Sequence, residues 1–128
     1  MKITIPLKPI PASRPRVTRW GVYYSKTYKN WMAEAERIVP VWKDAPWCFP
    51  VQANTLIAVP RAKTSQLVVP VGDGDNFEKA VFDLLQKKGY LEDDKWITSA
   101  TWRKRFLPYG EVGFTMVELT PETEEIDL

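Results

Sequence analysis

A chain of 128 residues with 45% hydrophobic residues, six tryptophans and a formal net charge of +2 is long enough for one packed core and no more. It contains no histidine, which excludes histidine-based catalysis and histidine-ligated metals and leaves oxygen ligands and hard cations. Its one cysteine, Cys48, cannot close an internal disulfide, and no apolar run approaches membrane-spanning length. The chain therefore reads as cytosolic, with no membrane partner and with Cys48 expected as a buried small hydrophobe.

The charge is unevenly spread. Residues 1–30 carry Lys2, Lys8, Arg14, Arg16, Arg19, Lys26 and Lys29 and not one acid, whereas residues 121–128 carry Glu122, Glu124, Glu125 and Asp127 and no base. A polyanion partner is expected at the front and a solvated acidic tail at the back.

Lys2–Leu7 alternates, with Ile3, Ile5 and Leu7 on one face, and reads as a half-buried strand. Lys8–Trp20 follows as a loop stiffened by Pro9, Pro11 and Pro15, which display Arg14, Arg16 and Arg19. Trp20, Tyr23 and Tyr24 come next; bases followed by aromatics suit phosphates and exposed base faces, and equally suit a solvated loop with a short strand. Ser25 is a good cap for a helix running toward Val39, where Pro40 stops it. Tyr28, Trp31, Met32, Ala35, Ile38 and Val39 give that helix a core-facing stripe. Trp42–Pro50 is a loop, and Val51–Val59 alternates as a second strand. In the segment Pro60–Gly72, Arg61 and Lys63 are candidate phosphate contacts or plain surface.

Asp75 is expected to cap a second helix, with Glu78 completing a capping box, Phe77, Ala80, Val81, Leu84 and Leu85 buried, and Gly89 terminating it. Trp96–Phe106 and Glu111–Leu119 are expected to form a strand pair joined at Pro108-Tyr109-Gly110, with Arg103, Lys104 and Arg105 crowding the end of the first. The order β-α-β-α-β-β predicts an α/β fold, an α+β two-layer sandwich with a mixed sheet and two helices. It would occupy one domain over residues 1–120, with a disordered acidic tail over 121–128.

Chemistry points to the second helix. Asp73 and Asp75 stand two apart at its start, Lys79 follows four positions later, and Asp93 and Asp94 lie past its end. Each acid alone is explained as a cap, a turn or a solvated loop. Together they offer enough oxygens for one or two Mg²⁺ ions, which keep other positions for water and phosphate. A calcium-binding EF-hand also begins D-x-D-N, but its twelfth loop position here is Leu84, not glutamate. With bases in front, the natural substrate is a phosphodiester backbone. Lys79 would orient the nucleophile or stabilise transition-state charge, or simply pair with Asp83 one turn on.

At these residues the chain resembles the RusA family of Holliday junction resolvases. The likeness rests on D-G-D-N-F-E-K-A-V-F-D-L-L at Asp73–Leu85 and G-Y-L-E-D-D at Gly89–Asp94; Pro11–Arg19, P-A-S-R-P-R-V-T-R, is similar to phage-borne members. The resemblance covers about Ile3 to Leu119 and implies a RusA-like nuclease domain. It also implies a Mg²⁺-dependent endonuclease, with Mn²⁺ as a substitute, acting as a homodimer that places paired nicks across a four-way DNA junction. By matching positions Asp73, Asp75 and Asp94 would be metal ligands, Asp93 a supporting carboxylate and Lys79 the catalytic lysine. DNA contacts would come from Arg14, Arg16, Arg19, Lys26, Lys29, Arg61, Lys63, Arg103, Lys104 and Arg105. Gly74 stands where the family commonly has an apolar residue, and is expected to loosen the loop. Two rival readings are a metal-dependent nuclease acting on flaps or single strands and a non-enzymatic DNA-binding module.

Overall fold

The computed structural model describes residues 1–13, 16–23 and 25–123. Its centre is the strand Val51–Pro60, β4, whose side chains Val51, Ala53, Thr55 and Ile57 are buried in strict alternation. That alternation is the signature of a strand covered on one face. Around it lie β1 (Lys2–Ile5), β5 (Ile97–Leu107) and β6 (Phe114–Pro121), in the sheet order β1-β6-β4-β5. A separate two-stranded hairpin, β2 (Arg16–Thr18) and β3 (Gly21–Tyr23), occupies the segment read above as a loop and short strand.

Helix α1 (Lys26–Ile38) and helix α2 (Gly74–Lys87) pack on the same face of the sheet. Tyr28, Trp31, Met32 and Ala35 of α1 meet Ala80, Val81, Leu84 and Leu85 of α2 over Ile3, Ile5, Val117 and Leu119. Ser25 caps α1 as expected, its Oγ accepting from Tyr28 N at 3.2 Å. Gly89 follows α2 at φ +78, the left-handed conformation that ends helices. No helix among the described residues is long and apolar enough to cross a membrane.

Four expectations are corrected. β5 and β6 are not paired with each other: β4 lies between them, parallel to β5 and antiparallel to β6. The reason is apolarity, since β4 offers buried residues to both neighbours while β5, exposed over most of its length, takes the edge. Charged residues such as Arg103 and Arg105 suit an edge strand, because they block pairing with a further chain.

Second, α2 begins two residues earlier than expected, with Asp73 rather than Asp75 at the N-cap position and no side-chain capping hydrogen bond. The carboxylate of Glu78 turns inward instead. Third, Cys48 is exposed, because the surface loop around it is held by Trp47, which exchanges backbone hydrogen bonds with Tyr90 and Glu92. Fourth, Asp83 accepts a hydrogen bond from the Tyr28 hydroxyl at 2.7 Å, joining α1 to α2, so Lys79 is not its main partner.

β6 runs to Pro121, and Glu122 is tied back through its N–H to Pro50 O at 2.9 Å and its carboxylate to Gln52 at 2.8 Å. The acidic positions Glu124, Glu125 and Asp127 lie outside the described residues, as do Arg14 and Tyr24.

Candidate active site

The site is built where one row of the sheet meets the start of α2. Strand register lines up Ile3, Val117, Thr55 and Trp102 across β1, β6, β4 and β5. The first three are buried; the fourth, on the edge strand, is 42% exposed and sits against the first turn of α2. Gly74 lies so close that a Cβ there would come within 2.1 Å of the Trp102 ring. The glycine does not loosen the turn between Asp73 and Asp75. It lets an indole pack onto the backbone, so Trp102 fills space that an apolar side chain at position 74 would claim.

Asp73 makes no capping hydrogen bond with its side chain, while Oδ1 of Asp75 accepts from Asn76 N at 3.1 Å. One turn further, exposed Lys79 lies on the same helical face as Asp75, and Asp83 lies one turn beyond it. The loop after α2 returns along this face. Asp93 caps a single 3-10 turn, Asp94–Trp96, its Oδ1 accepting from Lys95 N at 2.8 Å.

Asp94 then sits within electrostatic reach of both Lys79 and Asp83. Desolvation by the surrounding chain, then the hydrogen bond and charge of Asp93 and the charge of Asp83, hold its carboxyl above the ordinary aspartate range; Lys79 pulls the other way. Asp94 thus faces Lys79 and Asp83 of α2, and Asp75 stands one turn before Lys79 on that helix. Among the described residues no three Asp, Glu, Cys or His side chains converge into a ready-made cation cage. The donors are hard carboxylate oxygens of the kind divalent Mg²⁺ or Mn²⁺ takes, and their unbalanced negative charge is what such an ion offsets.

The expected bases are distributed by strand alternation. Lys104 points to the helix side and donates to Gly72 O at 2.7 Å, bracing the loop that leads into Asp73. Arg103 faces the open side of the sheet, lining a groove of about 350 Å³ with Asn54, Leu56, Met116 and Glu118. Arg105 is exposed on that same side, its side chain bonding to Lys104 O at 2.9 Å. Arg61 bonds to Leu67 O at 2.6 Å, and Lys63 is exposed nearby in sequence. Lys26 and Lys29 are exposed on the first turn of α1, Arg19 lies 4.8 Å from the Trp20 ring centroid, and Arg16 lies in β2.

Sequence reasoning missed Glu78. It is buried, only 4% exposed, and Oε2 accepts from the Thr55 hydroxyl at 3.1 Å. Burial pushes its carboxyl up from 4.5 to about 7; the Thr55 hydrogen bond lowers it and the charge of Asp75 raises it. The missed signal is spacing: Glu78, Val81 and Leu85 share the buried stripe.

Glu78→Gln tests this. Between about 4.5 and about 7 the folded chain keeps a proton that the unfolded chain has released, so this group's contribution to stability falls as pH rises through that window. Denaturant titrations at about pH 5 and about pH 8 should show the wild type losing on the order of 3 kcal/mol from this group, and Glu78→Gln losing none of it. An equal loss in both would assign the pH dependence elsewhere.

Acids at the start of a helix and in the turn after it, around a single lysine and beside the basic strand β5, define a phosphodiester-processing class of site. The chain matches the family model described as Endodeoxyribonuclease RusA over residues 6–116, and it belongs to that family. It is therefore an endodeoxyribonuclease of the Holliday junction resolvase kind. A comparison with the curated proteins gives no match.

Proposed function

We propose that this protein is a Mg²⁺-dependent resolvase that cuts four-way DNA junctions by paired, symmetric nicks, working as a homodimer in the bacterial cytoplasm. The observation that carries the reading is the family match over residues 6–116, supported by Asp94 within electrostatic reach of Lys79, one turn along α2 from Asp75. Two coordinated cuts need two sites related by a two-fold axis, which a homodimer supplies.

Asp73, Asp75 and Asp94 would hold the cation, with Asp93 supporting Asp94. The cation supplies Lewis-acid stabilisation of the phosphodiester and a more acidic water. Lys79 carries fixed positive charge one turn from Asp75, where it offsets charge developing on the phosphate oxygens. Thr55 and Glu78 hold α2's first turns to the sheet, and Trp102, in the same row of the sheet as Thr55, packs against the turn between Asp73 and Asp75. The exposed bases Arg103, Arg105, Lys63, Lys26, Lys29 and Arg19, together with Lys104, Arg61 and Arg16, bind the DNA backbone, an attraction that weakens as salt rises.

The test is strand cleavage of a synthetic four-way junction, a flap and a linear duplex at matched salt, with Mg²⁺ and with chelator. The proposal expects symmetric nicks in the junction, little cutting of the other two, and none under chelation. A protein that binds the junction but leaves it intact in both Mg²⁺ and Mn²⁺ would overturn it. Preferential cutting of the flap would favour the simpler-substrate reading.

A further inference from the structure

The loop between β4 and α2 is firmly held yet carries an apolar surface. Leu67, Val68, Val69 and Val71 are 50%, 88%, 59% and 75% exposed. Single exposed aliphatics need no explanation, but four within five residues of a braced loop do. The bracing comes from three directions. Arg61, its guanidinium 4.2 Å from the Phe106 ring centroid, bonds to Leu67 O. Pro70 is buried between the exposed valines. Lys104 bonds to Gly72 O, and Gly72 itself, at φ +111, has no room for a side chain against the Phe77 ring.

Charge decides what such a tip would meet. Residues 60–72 contain Arg61 and Lys63 and no acid, and the strand beside them, residues 97–107, contains Arg103, Lys104 and Arg105 and no acid. A second copy seated here across a two-fold axis would bring these like charges together, at a cost. A nucleic acid is the opposite case: its phosphates meet the bases, and base faces unstacked at a branch offer the apolar contact. The loop also enters Asp73 two residues after Val71, so whatever it touches lies beside the acidic end of α2.

We propose that Leu67, Val68, Val69 and Val71 form a wedge that enters the opening where duplex arms part and covers the base faces exposed there, presenting the adjoining strand to the acids of α2. Apolar side chains driven between base steps unstack bases in this way in DNA-bending architectural proteins. This rests on the branched-DNA reading above, and it assigns recognition of the branch to a surface separate from the cleaving residues.

The test uses the full-length protein and a four-way junction carrying 2-aminopurine at the branch point, in chelator so that nothing is cut. Saturating wild type should raise the emission several-fold as the base unstacks. Val68→Ser with Val69→Ser should give less than about a third of that change at saturation, and Val68→Leu with Val69→Leu should restore it. With Mg²⁺, the serine variant should nick the junction about tenfold more slowly at unchanged salt dependence of binding. Both positions are exposed, and a thermal melt like wild type's checks that the fold is kept.

Emission from the serine variant equal to wild type's would overturn the wedge. A serine variant that turns a dimeric protein monomeric would also overturn it, assigning the patch to a second copy. If wild type nicks junctions and the variants do not differ, the wedge alone falls. If wild type neither binds nor cuts junctions, the branched-DNA reading falls with it.

Discussion

Asparagine in place of Asp75 is expected to remove DNA cleavage while leaving junction binding and the fold intact. The substitution keeps the side chain's shape, and its carbonyl oxygen can still accept from Asn76 N as the Asp75 carboxylate does. What it removes is one negative charge from the first turn of α2, at the position proposed to hold the cation. Losing a group that positions charge against the transition state typically costs roughly a thousandfold or more in rate, about 4 kcal/mol of barrier. Binding comes mainly from exposed lysines and arginines against phosphates, so its strength and salt dependence should hold. Single-turnover nicking alongside a binding titration measures both. A variant that cuts at near wild-type rate would remove Asp75 from the chemistry.

The second large effect concerns packing. Gly74→Leu should destabilise the protein by about 1–3 kcal/mol, because even its Cβ would lie 2.1 Å from Cδ2 of Trp102, well inside contact distance. Trp102→Ala should also destabilise, by leaving space over the turn between Asp73 and Asp75. The combined variant should be more stable than the two losses added together, with a favourable coupling of about 1 kcal/mol or more, since leucine would fill what the indole vacates. Denaturant titration of the four proteins gives the coupling. Strict additivity would mean that Trp102 and Gly74 do not share that space.

This pair also marks how far the sequence could be read. Alternation at Ile3 and Ile5 and at Val51 through Ile57, the Ser25 cap and the Gly89 terminator are local features, and each lies where its spacing put it. Strand pairing is a long-range property. β5 and β6 are neighbours in sequence and joined by a turn-rich segment, but burial of β4 on both edges outweighs that short connection.

At the candidate site, the spacing of the acids and Lys79 along the sequence is what singles them out. The packing beneath them cannot be read that way, because Trp102 reaches Gly74 across twenty-eight positions of chain and Thr55 reaches Glu78 from another strand. Glycine at position 74 looked like slack in a loop; it is instead where an aromatic ring is seated. Nor could spacing show that Lys104 faces the helices while Arg103 and Arg105 face the open side, since that depends on where β5 enters the sheet.

Asp94 and the acids at the start of α2 are proposed to serve one divalent cation. Adding substoichiometric Mn²⁺ to the isotopically labelled full-length protein and following amide signals by NMR tests this most directly. The signals of Asp73, Asp75, Lys79 and Asp94 should broaden together, and Asp94→Asn should weaken the effect at all of them. Broadening around Asp73 and Asp75 with the Asp94 signal still sharp, or none at any of these positions, would contradict it.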